Sequence, residues 1–220
     1  MRIDILSIFP EFFNSFLKES IIKRAQEKNL VEINIVNFRD FSLDPHKKVD
    51  DTAYGGGAGM VLSVEPIVRA LESIRKDYSK VILTCPRGEV YKQKMAYDLA
   101  KEKHLIIICG HYEGIDERIR NFVDLEVSIG DFILTGGEIA SLVISDSIIR
   151  LIPGVIEEES HQNDSFSSNL LDYPSYTKPR NFRGLEVPEV LLSGDHQKIR
   201  EYRKAEQERL TKERRKDLLN

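Results

Sequence analysis

The sequence predicts an α/β protein built on a mostly parallel sheet and followed by a small helical extension. Three observations carry that reading. Apolar strand-like runs recur at 2–8, 31–36, 80–85, 104–109 and 124–129. Helical spacings of apolar residues lie between several of them, and such alternation requires crossover connections, with helices covering both faces of a parallel sheet. After Pro153 and Gly154 the alternation stops and the chain turns polar, then basic. A length of 220 residues suits one α/β domain of ordinary size plus an extension.

The first run, Ile3 to Phe9, is interrupted by Asp4 and ended by Pro10, so it is too short to span a membrane. Residues 11–28 set Phe12, Phe13, Phe16, Leu17, Ile21, Ile22 and Ala25 near one face and predict a single helix. Residues 64–75 predict a second, with Ser63 at the N-cap and Pro66 in the first turn, where proline is tolerated. Residues 91–102 and 137–150 complete the series. The continuous run LIIIC, 105–109, has no polar alternation and suits a central strand with no wet face. Cys85 and Cys109 each close an apolar run, which reads as buried thiols in a reducing, cytoplasmic setting and not as a disulfide framework.

Residues 156–170 (IEEESHQNDSFSSNL) lack periodicity and read as a linker. Next come two prolines, three aromatics (Tyr173, Tyr176, Phe182) and three cations (Lys178, Arg180, Arg183). A charged helix is predicted over 196–217, capped by Ser193 or Asp195. The resulting division is 1–157, a linker 158–172, and 173–220. Charge follows it. Residues 176–220 hold 12 Lys/Arg against 8 Asp/Glu, while residues 1–175 hold 20 against 28. An acidic body with a basic tail fits a catalytic domain joined to an RNA-contacting one, and a solvated helix of mixed charge fits the tail as well.

Three glycine-bearing loops follow strand-like runs: TCPRGE at 84–89, GHYEGIDER at 110–118 and SIGDFILTGGE at 128–138. Ligands of parallel sheets sit outside the carboxyl ends of the strands, so these loops form the candidate site, against the alternative of plain turn chemistry. There is no strand–GxGxxG–helix unit and no GxxxxGK[ST]. The glycines of YGGGAGM, 54–60, follow a polar loop and bring no phosphate lysine. Five scattered histidines give no metal-cluster spacing.

GHYEGIDER, SIGDFILTGGE, DSIIRLIPGV, LLDYPSYTKPR and EVPEVLLSGDHQKIREYR, with DILSIFPEFF and DDTAYGGGAGM before them, resemble the bacterial tRNA (guanine-37-N1)-methyltransferase family over essentially the whole chain. The resemblance implies a parallel sheet with a C-terminal trefoil knot, then a small helical domain. It also implies a cytoplasmic homodimer with no membrane segment, S-adenosylmethionine as methyl donor, and the tRNA anticodon stem-loop as partner. Its cofactor positions fall on Thr84, Cys85, Pro86, Gly110, Tyr112, Ile129, Gly130, Asp131, Phe132, Ile133, Leu134, Gly136 and Gly137. For Ile129, Ile133 and Leu134 taken singly, core packing is the competing reading. In these terms residues 1–157 bind the cofactor, 158–172 carry the catalytic aspartate and 173–220 bind tRNA.

Methylating guanine N1 requires removal of a proton from a weak acid, so an aspartate base needs burial or a cation that offsets charge on O6. The family pattern places the base at Asp164 and the arginine at Arg150, and implies Mg²⁺ dependence with Glu113 recruiting the ion. A helix cap for Asp164 and a helix-end cation for Arg150 are the structural alternatives. Ser160 and His161 are candidate RNA contacts. His46, Asp50 and Asp51 match positions near the RNA and partner subunit, or form a solvated turn. Lys198, Arg200, Arg203 and Lys204 extend the basic surface. Two rival functions remain: a knotted methyltransferase acting elsewhere on RNA, which needs no aspartate base, and a non-catalytic nucleotide-binding module.

Overall fold

A computed structural model describes residues 1–157 and 164–219. The chain divides into two compact units, Met1–Ile156 and Glu157–Asn220. In the first, five strands form one all-parallel sheet: β1 (Arg2–Ser7), β2 (Glu32–Asn37), β5 (Ser79–Val90), β6 (His104–Cys109) and β7 (Leu125–Ser128), in the order β2-β1-β6-β5-β7. A two-stranded ribbon, β3 (Asp50–Asp51) with β4 (Val61–Leu62), lies outside it.

The strand pleat sends alternate side chains to opposite faces, and each face has its own core. Ile3, Ile5, Ile82, Leu105 and Ile107 meet Ile22 and Ala25 of α2 (Ser20–Glu27) and Ala96 and Leu99 of α4 (Gln93–Leu99). Ile144, Ile148 and Ile149 of α5 (Glu138–Ile149) complete that layer. Leu6, Val81, Leu83, Ile106 and Ile108 meet Ile67, Ala70 and Leu71 of α3 (Val64–Ile74) on the other. Every residue of β6 is buried, as its unbroken apolar run requires. At roughly 1.5–3 kcal/mol for each large apolar side chain removed from water, these two layers hold the sheet together.

Three local expectations are corrected. The single helix over 11–28 is a short turn at Pro10–Phe13, then α1 (Asn14–Lys18) and α2, with Glu19 extended and Ser20 at positive φ between them. Phe13 and Ile22 are nine residues apart, which at about 100° per residue puts them on opposite faces of a continuous helix. The break lets both enter the same core. The run 80–85 does not end in a loop. β5 continues to Val90, and its pairing with β7 slips between Thr84 and Glu89, both of which face Val127, so Cys85–Gly88 bulge out. Gly88 sits there because a Cβ would collide with the backbone of Glu126 and Val127. Ser63 occupies the N-cap of α3 as expected, but its side chain makes no capping bond.

In the second unit, β8 (Asn181–Phe182) and β9 (Leu185–Glu186) form a hairpin closed by Arg183 and Gly184, both at positive φ as a two-residue type I′ turn demands. Asp195 caps α6 (His196–Arg214), accepting from the backbone N–H groups of Gln197 and Lys198 at 3.1 and 3.2 Å. The α6 helix ends three residues before the sequence reading has it. Its buried Thr211 hydroxyl accepts the Leu171 N–H at 2.8 Å, tying the end of the linker segment to the helix.

Candidate functional site

The carboxyl ends of β5, β6 and β7 open into a cleft of about 600 Å³. The segments around it are held together at two glycines. The Gly137 N–H donates to the Gly110 carbonyl at 2.7 Å, and His111 bridges to Gly136 in antiparallel fashion. A Cβ on Gly137 would sit 2.9 Å from both Cys109 Cα and Gly110 N, so only glycine permits that approach. Gly130 takes φ +144°, which lets the backbone turn back over the Phe132 ring. Tyr112 also has positive φ, a conformation costly for a side chain of that size and one that clusters at binding sites.

Of the thirteen expected cofactor residues, twelve line this cleft: Thr84, Cys85, Pro86, Gly110, Tyr112, Ile129, Gly130, Phe132, Ile133, Leu134, Gly136 and Gly137. Asp131 does not line it and is exposed. Phe132 and Ile133 are largely exposed, so core packing does not explain them. Glu113 is at the rim, where its N–H donates to the Met60 carbonyl at 3.1 Å and its side chain lies over Gly59. The YGGGAGM segment therefore runs into the cleft edge.

Several residues of the site escaped sequence reading. Glu138 is buried in the first turn of α5 and accepts a hydrogen bond from the Ser7 hydroxyl at 2.8 Å. A carboxylate there is favoured by the helix N-terminus as well. His111 lies edge-on to Phe9 and to Tyr112, at 4.8 and 4.9 Å between ring centres, with Nδ1 3.7 Å from Glu138. Arg120 donates to Glu126 at 2.6 Å and forms an ion pair with Glu117 at 2.6 Å, and the Cys85 thiol donates to the other Glu126 oxygen at 3.1 Å. Burial first, and then the Glu126 carboxylate, push this thiol above its ordinary pKa. Nothing in single-sequence spacing marks these pairings.

Arg150 occupies the C-cap of α5 in the first unit, and Asp164 is half-buried in the second, where its carbonyl accepts from the Ser167 N–H and hydroxyl. Among the described residues no helix starts at Asp164. Ser160 and His161 lie outside the described residues. Asp50 and Asp51 form β3 and are not a solvated turn; exposed His46 donates its N–H to Asp44. Among the described residues no group of three His, Cys, Asp or Glu side chains could hold a metal ion, and no helix is long and apolar enough to cross a membrane. In the second unit, Arg203 lies over the Tyr173 ring at 4.7 Å and Arg183 over Phe182 at 5.2 Å.

These features define an α/β protein with a cleft at the carboxyl edge of a parallel sheet, joined to a second unit in which residues 176–220 carry 12 Lys/Arg against 8 Asp/Glu. The family model described as tRNA (Guanine-1)-methyltransferase TrmD matches residues 1–220, and the chain belongs to that family. It is 59% identical to a tRNA (guanine-N(1)-)-methyltransferase of Malacoplasma penetrans, over 99% of this chain and 96% of that one. A protein of the same name from Carboxydothermus hydrogenoformans is 58% identical, over 100% and 87%. A third, from Geobacillus kaustophilus, is 56% identical over 100% and 92%.

Proposed function

We propose that this chain is an enzyme that transfers a methyl group from S-adenosylmethionine to N1 of guanosine 37 in tRNA, beside the anticodon. The observation that carries the reading is a cleft that gathers the residues of three strand-end segments, in a chain that belongs to a tRNA (guanine-1)-methyltransferase family. The cleft fits the donor. Its volume is in the range of small-molecule sites, about 300–1,000 Å³. Glycine at 136 and 137 lets the segment before α5 pack directly on Cys109, Gly110 and His111 at the cleft wall. S-adenosylmethionine, when bound, supplies an electrophilic methyl group. Ile129, Phe132, Ile133 and Leu134, which line the cleft, would give its adenine apolar flanks.

Asp164 takes the N1 proton, and Arg150 offsets the charge that develops on O6. Residues 173–220 grip the RNA, and the linker 158–172 delivers the aspartate once substrate is bound. Glu113 is the residue that would recruit Mg²⁺, and among the described residues it is not part of a group of three His, Cys, Asp or Glu side chains that could hold a metal ion. Magnesium binds through one or two carboxylates and keeps several waters, so a single glutamate suffices as its protein contact. No step here is routed through the metal.

The trefoil knot, the homodimer and the cytoplasmic setting belong to the same reading. Family membership and the close approach of Gly136 and Gly137 to Gly110 and His111 support the knot. Ile139 and Val143 support the dimer: they are 44% and 43% exposed at adjacent turns of α5, with Phe9 and Phe12 exposed on the neighbouring turn. Two free cysteines are consistent with a reducing compartment.

Mapping the methylated nucleotide tests the reading. After incubation with methyl-labelled donor and a tRNA transcript, label should appear as N1-methylguanosine at position 37. Label on ribose or on another base would assign the chain to a different RNA position. Donor binding without transfer would leave a non-catalytic module.

A further inference from the structure

The second unit holds a cavity of its own, of about 580 Å³, which the chemistry above does not use. Its walls are of two kinds. Tyr173, Pro174 and Tyr176 offer flat faces, backed by apolar groups such as Leu191 and Ile199, while Lys178, Arg180 and Arg203 supply cations. Among the described residues no acidic side chain lines it. The Arg203 guanidinium is already stacked on Tyr173, 4.7 Å from the ring centre, so one face of that ring is taken. Tyr176 is 48% exposed, which leaves its ring available to a ligand. Arg180 pairs with Glu189 at 3.9 Å, and that carboxylate is 91% exposed, so solvent screens the ion pair almost completely.

We infer that this cavity takes one unstacked nucleotide of the RNA substrate, its base against Tyr176 and its phosphate at Lys178 and Arg180. The inference rests on the proposed function, and it narrows a diffuse basic surface to a defined pocket. Phe182 and Arg183, equally suited by composition, are on the β8–β9 hairpin and do not line it. The occupant follows from the two kinds of wall together. An acidic peptide would use the cations and leave the aromatic face idle. An apolar partner would cover three cations and offer them no anion of its own, a costly arrangement. A nucleotide satisfies both, because every base has a π-face and every link a charge. Recognition of single-stranded loops by splayed bases on aromatic side chains is the common mode for RNA.

The test uses the full chain and tRNA transcripts in which one anticodon-arm nucleotide at a time is made abasic. Tyr176→Ala should weaken tRNA binding at least about fivefold, the lower end for loss of one base stack. Tyr176→Phe should hold near wild type. Arg180→Gln should lower the salt dependence of binding by about one counterion. One abasic position should weaken binding to the wild type and have no further effect on Tyr176→Ala, because base and ring form one contact. An unchanged far-ultraviolet circular dichroism spectrum and an unchanged unfolding midpoint of the full chain serve as the folding control. If Tyr176→Ala folds poorly, Tyr176→Phe and the Arg180→Gln salt slope decide between the outcomes. Wild-type binding by Tyr176→Ala, equal penalties at every abasic position, or an unaltered Arg180→Gln slope would overturn the pocket. A wild-type chain that binds and methylates tRNA, with variants that behave just like it, removes the pocket alone. A wild-type chain that does not bind tRNA removes the proposed function as well.

Discussion

The backbone N–H of Gly137 reaches the carbonyl of Gly110 at 2.7 Å, and this one bond joins the segment after β6 to the start of α5. The two glycines differ in what a side chain would meet. A Cβ at 137 falls against Cys109 and Gly110 backbone, whereas one at 110 makes only ordinary contact with Ile115 at 3.6 Å. Gly137→Ala should therefore destabilise the protein by about 1–3 kcal/mol, as overpacking does. It should also weaken S-adenosylmethionine at least ~10-fold, since about 1.4 kcal/mol is one decade. Gly110→Ala should keep the stability of the wild type. Denaturant midpoints and donor titrations of the two variants check this, and equal behaviour would show that the close approach at Gly137 does not shape the cleft.

At the opposite end of the sheet, buried Asp4 gathers three partners. Its carboxylate contacts His104 Nε2 at 3.0 Å and Arg2 at 2.9 Å, and accepts from Asn34 at 2.9 Å; the far side of His104 meets the Ser79 hydroxyl at 2.7 Å. The network joins the starts of β1, β2, β5 and β6, away from the cleft. Asp4→Ala should cost about 3–5 kcal/mol of stability, the usual penalty for stripping one member from a buried polar pair. Donor affinity of the folded protein should not change. A loss below ~1 kcal/mol in urea unfolding would show the network to be dispensable.

Cys85 lines the cleft, yet burial and Glu126 hold its thiol above the ordinary range, and burial does the same to Cys109. The folded state thus favours the neutral thiols. Their contribution to stability is complete below about pH 8.5, the free-thiol value, and declines as pH rises through the raised folded values. Because the thiolate is the nucleophile, iodoacetamide should modify Cys85 at about pH 8 at least ~10-fold more slowly than in the unfolded chain. Saturating donor should slow it further. Mass spectrometry across roughly pH 7–10 reads both effects, and equal rates in the folded and unfolded states would contradict the burial argument.

Much of this fold is legible in the sequence because the sheet is buried on both sides, so its strands appear as unbroken apolar runs such as LIIIC. The helical break at Glu19 and Ser20 was not legible. Apolar spacing around Phe13 and Ile22 fits one helix as long as the depth of each side chain is unknown. The bulge at Cys85–Gly88 reads as a turn because CPRG has turn composition. The cleft residues were found from glycine-bearing strand ends and family motifs. Ser7 and Glu138 were missed because their bond spans 131 residues of sequence, and no local pattern encodes such a pairing.

The proposed homodimer carries a further prediction, with Arg150 of one subunit serving Asp164 of the other. Homodimers of Arg150→Ala and of Asp164→Asn should both be inactive, while mixed dimers should regain transfer at the one site that keeps both residues. Mixed dimers as inactive as their parents, or a fully active monomer in sedimentation, would exclude the arrangement.

In the proposed mechanism the first unit binds the donor while Asp164 supplies the base. A single-turnover experiment with saturating tRNA, comparing wild type with Asp164→Asn, tests it most directly because it separates chemistry from product release. The amide is nearly isosteric and cannot accept the N1 proton, so the rate should fall at least ~10²-fold, with donor and tRNA affinities retained. A near-normal rate would contradict the assignment of Asp164 as the base, and loss of donor binding would contradict the division of labour between the units.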